Sequence, residues 1–155
     1  NIKAFLGRIM YGEIKPKYMI KPANVPLPIF PTRTGFTSVV LVEGIFDMLN
    51  LEDKGLENVV CCFGTHQFSA YNTQEKLLPL EIAGVTAIFI LLDNDKSGNA
   101  SAEKLQKLIS SKTNMLPIIS NYLLPKDKDP GDLDQQEVDQ LGINLNKLLA
   151  NNLKI

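Results

Sequence analysis

At 155 residues the chain can bury the core of one domain but not comfortably of two. Its 45% hydrophobic content suits a soluble globular protein, and no apolar run approaches the ~20 residues that span a bilayer, so no membrane partner is expected. The net charge of −1 conceals an asymmetry: residues 1–36 carry six Lys/Arg against Glu13 alone, whereas the remainder carries ten against sixteen acids. A basic arm ahead of an acidic domain suits a polyanion held beside a metal site, although on charge alone two solvated surfaces are the better account.

The first ten residues lack the apolar stretch and small-residue cleavage site of a signal peptide, and Asn1 in place of Met points to a piece of a longer protein. Cys61 and Cys62 are adjacent and His66 is the single histidine. Neither a zinc site of four cysteines nor one of paired cysteines and paired histidines can be built from them. Two neighbouring cysteines at the end of an apolar run read as reduced, half-buried residues of a cytoplasmic protein.

Residues 1–14 accommodate a short strand or hairpin with Gly7 and Gly12 as turn points. Five of the nine prolines fall between Pro16 and Pro31, which makes this segment an extended connector rather than a helix or central strand. After Phe36, strands and helices alternate. Ser38–Val42 predicts a buried strand that stops at Glu43-Gly44, with Gly44 as a sharp turn and a helix over Ile45–Lys54 closed by Gly55. Asn58–Phe63 predicts a second strand, closed by Gly64-Thr65, and Ser69–Leu78 a helix stopped by Pro79. Val85–Leu92 is the most apolar run and ends at Asp93-Asn94-Asp95. A helix over Ala100–Ser111 follows, with Ala102, Leu105, Leu108 and Ile109 on one face. Met115–Leu124 predicts a fourth strand, Lys126–Asp134 a polar loop, and Leu133–Leu141 with Ile143–Leu153 one or two closing helices. Near-continuous apolar strands with helical crossovers argue for an α/β fold: a parallel four-stranded sheet with helices on both faces, preceded by the proline-rich basic arm.

Three strand ends carry acids: Glu43 with Asp47 one helical turn on, Asp93 with Asp95, and then Asp127, Asp129 and Asp132. In a parallel sheet these ends share one edge, where open α/β sheets place ligand chemistry. Carboxylates at that density repel unless a cation neutralises them, and oxygen-only ligands select Mg2+ or Mn2+. An EF-hand reading of Asp93–Gly98 fails because Lys104 stands at the twelfth position and a strand precedes the loop. A receiver domain would want paired acids after the first strand, and no Walker phosphate loop is present.

Glu43-Gly44-Ile45-Phe46-Asp47, Phe63-Gly64-Thr65, Asp93-Asn94-Asp95-Lys96-Ser97-Gly98 and Lys128-Asp129-Pro130, in that order, resemble the Toprim domain in its bacterial-type DNA primase version. The resemblance covers roughly residues 36–150. Upstream, Gly7-Arg8, Lys15-Pro16-Lys17-Tyr18 and Pro28-Ile29-Phe30 are similar to the segment that precedes Toprim in the primase core, which favours primase over topoisomerases, recombination mediators or Toprim nucleases. The implied division is a basic segment over 1–36, resembling the end of the polymerase subdomain, and a Toprim domain with closing helices over 37–155.

The resemblance implies a nucleotidyltransferase that joins ribonucleoside triphosphates on a single-stranded DNA template with Mg2+ or Mn2+. A replicative helicase would be the partner of the full-length protein, and a phage or mobile element is one setting for it. Glu43 would be a metal ligand or general acid/base; Asp93 and Asp95 would bind the metals that hold the triphosphate; Asp47 would support them. Asp129 matches the first Asp of an Asp-Pro-Asp motif, but Gly131 stands where the second Asp often sits, with Asp132 one place later. Lys15, Lys17 and Tyr18, and more weakly Arg8, would face the template. Plainer roles compete: Asp47 favours a helix dipole, Asp129 is a turn acid, and Lys17-Tyr18 could pack in the arm. Such a fragment is expected to make little or no primer alone. The alternatives are a Toprim nuclease or topoisomerase-type fragment, or a non-catalytic nucleic-acid-binding module.

Overall fold

A computed structural model of the chain describes residues 5–8, 18–22, 25–126 and 128–152. Four strands form the parallel sheet: β3 (Ser38–Val42), β4 (Val59–Cys61), β5 (Ala87–Ile90) and β6 (Leu116–Ile119), in spatial order β4-β3-β5-β6. Two earlier strands, β1 (Phe5–Arg8) and β2 (Tyr18–Lys21), pair antiparallel in a separate ribbon.

Alternation along each strand feeds two cores. Val39, Leu41, Val60, Ile88 and Ile90 face α2 (Thr73–Ile82) and α3 (Lys96–Lys112), meeting Leu77, Leu80, Leu105 and Ile109. Val40, Val42, Val59, Phe89 and Leu91 face α1 (Ile45–Asp53) and α4 (Gln135–Asn152), meeting Met48, Leu51, Val138 and Leu141. Both faces of the sheet are therefore dry, which is why its strands read as unbroken apolar runs. Among the described residues no helix is long and apolar enough to cross a membrane.

Several boundaries differ from expectation, each for a local reason. α2 starts at Thr73, not Ser69, because side chains commit their hydrogen bonds to a turn: Ser69 N–H donates to Asn72 Oδ1 (2.8 Å) and Asn72 Nδ2 to the Gln67 carbonyl (3.0 Å). It then runs through Pro79, because buried Leu77 and Leu80 carry the apolar face past the ring. α3 begins at Lys96, four residues earlier than predicted, with Asp95 as its N-cap. α4 is one helix through Gly142, held by the stripe Val138, Leu141 and Leu145. β4 stops at Cys61, ahead of Phe63, whose φ of 56° leaves the extended region; β6 stops at Ile119 and gives way to a 3-10 turn over Asn121–Leu123. Gly7 lies inside β1 opposite Met19 rather than at a turn, and Gly12 lies outside the described residues.

The extended connector contains β2, and its later part is fastened to the sheet. Phe30 forms an antiparallel bridge with Cys61, with the Phe30 N–H donating to the Cys61 carbonyl at 3.0 Å. Arg33 Nε donates to the Val59 carbonyl (3.0 Å), and its guanidinium pairs with Glu52. Lys76 reaches the Leu27 carbonyl. This covers the edge of β4, which would otherwise offer unpaired backbone groups. Cys61 and Cys62 are free and fully buried rather than half-buried; burial pushes the Cys61 thiol up to about 12 and the Cys62 thiol higher still.

Gly142 is the weak point of α4, and a Cβ built there meets only Leu56 Cδ1 at 3.9 Å, an ordinary contact. Gly142→Ala is expected to raise unfolding stability by about 0.5–1 kcal/mol, whereas Leu141→Ala should lower it by about 2–5 kcal/mol. Urea midpoints measured at constant m-value check both signs.

Candidate functional site

The carboxyl edge of the sheet gathers the acids. β3 hands over to Glu43-Gly44 and then to α1, whose first turn carries Asp47. β5 continues through buried Leu91 and Leu92 to Asp93. After β6, the chain returns through Asp129 to a 3-10 turn over Pro130–Asp132 that packs on α1.

Asp47 is the centre of this array. Burial pushes its carboxyl up from 3.8 to about 6; the Gly44 N–H, which donates to Oδ2 at 2.8 Å, opposes this, and the charges of Asp129, Asp93 and Glu43 add to it. Asp93 is shifted upward too, by desolvation and then by Asp129, Glu43 and Asp95. The carboxylates thus sense one another across three strand ends. Asp95 contributes charge but is also structural, with Oδ1 accepting the Gly98 N–H at 2.6 Å. Glu43 is held from the turn that follows β4: its Oε1 accepts the Thr65 N–H (3.4 Å) and its carbonyl accepts the Gly64 N–H (3.1 Å).

The glycines here are chosen by space as much as by conformation. Gly44 is extended (φ −105°), not a left-handed turn, but a Cβ there would lie 2.8 Å from Asp47 Oδ2. At Gly131 a Cβ would lie 3.0 Å from Asp47 Oδ1 and 3.1 Å from Asp129 Oδ1. Where the primase motif often has a second Asp, this chain has a residue wedged between two carboxylates, and Asp132 is exposed.

Neutral and paired groups set the loop, and of them the sequence singled out only Lys128. Asn50, on α1 one turn past Asp47, donates from Nδ2 to the carbonyls of Pro130 (2.9 Å) and Leu133 (3.1 Å). Lys128 Nζ meets both oxygens of Glu137 (2.6 and 2.7 Å), which also accepts the Asp134 N–H in a reciprocal cap with Glu137 N–H and Asp134 Oδ1. An Asn on a helix carries no sequence signal, and neither does the partner of Lys128, nine residues on.

The structure therefore brings Glu43, Asp47, Asp93 and Asp129 together, with Asp95 at their margin. Every donor is a carboxylate oxygen, the chemistry that hard divalent cations take. Among the described residues no three His, Cys, Asp or Glu side chains are placed to hold a metal ion by themselves. Lys15, Lys17 and Asp127 lie outside the described residues, while the backbones of Arg8 and Tyr18 stand opposite each other in the β1–β2 ribbon.

Residues 40–134 match the Toprim-like family model, and the chain belongs to that family. It is similar to the DNA primase of Listeria innocua, 28% identical over 145 residues, covering 85% of this chain and 21% of the relative. It is likewise similar to the DNA primase of Rickettsia bellii, 30% identical over 142 residues, covering 85% and 22%. The chain thus spans about a fifth of the length of these relatives. Among solved structures it resembles the zinc-binding and RNA polymerase domains of Aquifex aeolicus primase, with a TM-score of 0.59 at 25% identity, covering 89% of this chain and 36% of that one.

The raised Asp47 carboxyl has a signed consequence. Between 3.8 and about 6 the folded chain holds a proton that the unfolded chain has released, so stability from this group falls as pH rises through that window. At pH 7, without divalent cation, Asp47→Asn should be more stable than wild type by on the order of 1–2 kcal/mol. The gap should close near pH 4. Thermal melts of both proteins between pH 4 and 7.5 test this, and parallel curves would reject it.

Proposed function

We propose that this Toprim-like chain is part of the catalytic core of a DNA primase, which makes RNA primers on single-stranded DNA by Mg2+- or Mn2+-dependent nucleotidyl transfer. The observation that carries the reading is the convergence of Glu43, Asp47, Asp93 and Asp129 at the carboxyl edge of one buried sheet. Likeness to primases over 85% or more of the chain, well outside residues 40–134, supports a primase in preference to other Toprim enzymes.

A divalent ion, when bound, would supply positive charge that stabilises the triphosphate during nucleotidyl transfer. Such ions keep several waters and take one or two carboxylates plus substrate phosphates, so an open acidic array suits them better than a three-acid cage. In this reading Asp93, at the end of β5, and Asp129, in the loop that follows β6, would hold the ion. Asp95 offers the oxygen not used in capping. Asp47, ionised at pH 7, would add negative charge that favours a cation, and Glu43, oriented by Thr65, would either ligate it or accept the proton of the attacking hydroxyl. Lys15, Lys17 and Arg8 would contact template phosphates and Tyr18 a base. The basic segment 1–36 would continue the polymerase subdomain, and 37–155 would form the Toprim domain. The full-length protein would act in the cytoplasm, and a replicative helicase would be its partner.

The test takes the full-length protein with single-stranded DNA, ribonucleotides and Mg2+ or Mn2+. Primer synthesis is expected, falling by about a hundredfold or more in the double variant Asp93→Ala, Asp95→Ala. DNA cleavage without primers would instead favour a nuclease or topoisomerase. The present chain alone should bind Mn2+ yet make little or no primer. Glu43→Gln separates the two roles of Glu43: weaker Mn2+ binding marks a ligand, and unchanged binding with lost synthesis marks a proton acceptor.

A further inference from the structure

The β5–β6 ladder ends at Ile90 opposite Ile119, yet the chain must run three residues further to reach Asp93. Leu92 is buried there, and its N–H has no strand beside it to accept it. Two of the three fully buried polar residues among those described, Ser120 and Asn121, sit at this point. Ser120 Oγ donates to the Ile90 carbonyl (2.9 Å). Asn121 Oδ1 accepts the Leu92 N–H (2.8 Å), while its Nδ2 donates to the Asp93 carbonyl (3.4 Å) and to Asn99 Oδ1 on α3 (3.2 Å). Asn94 closes the loop by donating to the Leu124 carbonyl (3.3 Å).

From this we infer that Asn121 is a positioning residue: its side-chain amide replaces the missing strand and fixes the backbone that carries Asp93 to the acidic edge. The inference rests on the cation reading of the acids. A buried polar side chain needs such a reason, since one left without partners is destabilising. The choice of an amide is also specific. It supplies an acceptor and two donors without charge, so it braces carboxylates that repel one another without neutralising them or competing with a cation. Lys or Arg here would form an ion pair and occupy the site; Leu would strand the Leu92 N–H.

Mn2+ titration by electron paramagnetic resonance and amide hydrogen exchange over residues 92–99 test this on the whole 155-residue chain. Asn121→Leu should weaken Mn2+ binding by about tenfold or more and speed exchange at Leu92 and Asp93 by a similar factor, with far-UV circular dichroism and exchange in β3 unchanged. Asn99→Ala, on the surface of α3, removes only the outer link and should weaken binding about threefold; it decides the matter if Asn121→Leu does not fold. Unchanged Mn2+ affinity or unchanged local exchange in the folded variants overturns the positioning role. A wild type that binds no Mn2+ overturns the cation reading itself and with it this role, and the two failures are distinct.

Discussion

Mutual repulsion among Glu43, Asp47, Asp93 and Asp129 is the load that the acidic edge has to bear, and the sheet beneath is built to bear it. Glu43 and Asp93 follow strands whose inner residues are buried, and Asp47 sits in the first turn of α1 beside buried Met48, so none of the three can retreat without exposing Val42, Met48 or Leu92. Register matters in the same way. A one-residue slip of β5 would exchange Ile88 and Ile90 with Phe89 and Leu91 between the two cores and draw Asp93 away from Glu43. The dryness of both faces thus turns an electrostatic liability into a defined geometry, at the edge where this architecture places ligands.

The means of restraint are mostly neutral. Asp47 is held by the Gly44 N–H, its return loop by Asn50, and the Asp93 strand end by Asn121. The cationic clamp that does occur, Lys128 with Glu137, pairs a lysine with an acid outside the array and leaves the four carboxylates unpaired by it. Restraint without neutralisation keeps negative charge in place for a ligand to meet. It also explains why Asp47 rises to about 6, since no salt bridge among the described residues offsets its burial.

How much of this was readable depended on whether the determining force was regular or local. Strand cores were legible because double-sided burial leaves unbroken runs such as Val39–Val42, and the acids were legible because they end those runs. Helix starts were not. Ser69 and Asn72 divert a would-be helical turn into side-chain hydrogen bonds, and Asp95 starts a helix through residues that read as loop. Pro79 and Gly142 misled for the opposite reason: burial of Leu80 and Leu141 overrode a local breaker. Asn50 and Asn121 left no trace because one asparagine looks like another until its partners, 80 and 29 residues away, are known.

The spacing Asp93, Asp95, Gly98 shows how folding and chemistry share one motif. Gly98 donates its N–H to Asp95 Oδ1, and a Cβ on it would lie 2.1 Å from the Asp93 carbonyl oxygen. The first turn of α3 therefore sits directly on the backbone of Asp93, and no other residue type fits at position 98 without moving that acid. The cap starts the helix; the missing side chain lets the helix start press against the strand end; and the positive end of the helix dipole then faces Asp93 and partly offsets its repulsion. The second acid and the glycine are thus needed for initiating α3 even before any ligand is considered. An Asp at position 95 is for that reason weaker evidence for a metal than an Asp at position 93, whose carboxylate has no such structural employment among the described hydrogen bonds. The distinction comes from the geometry of one helical turn, and the order of residues alone does not draw it.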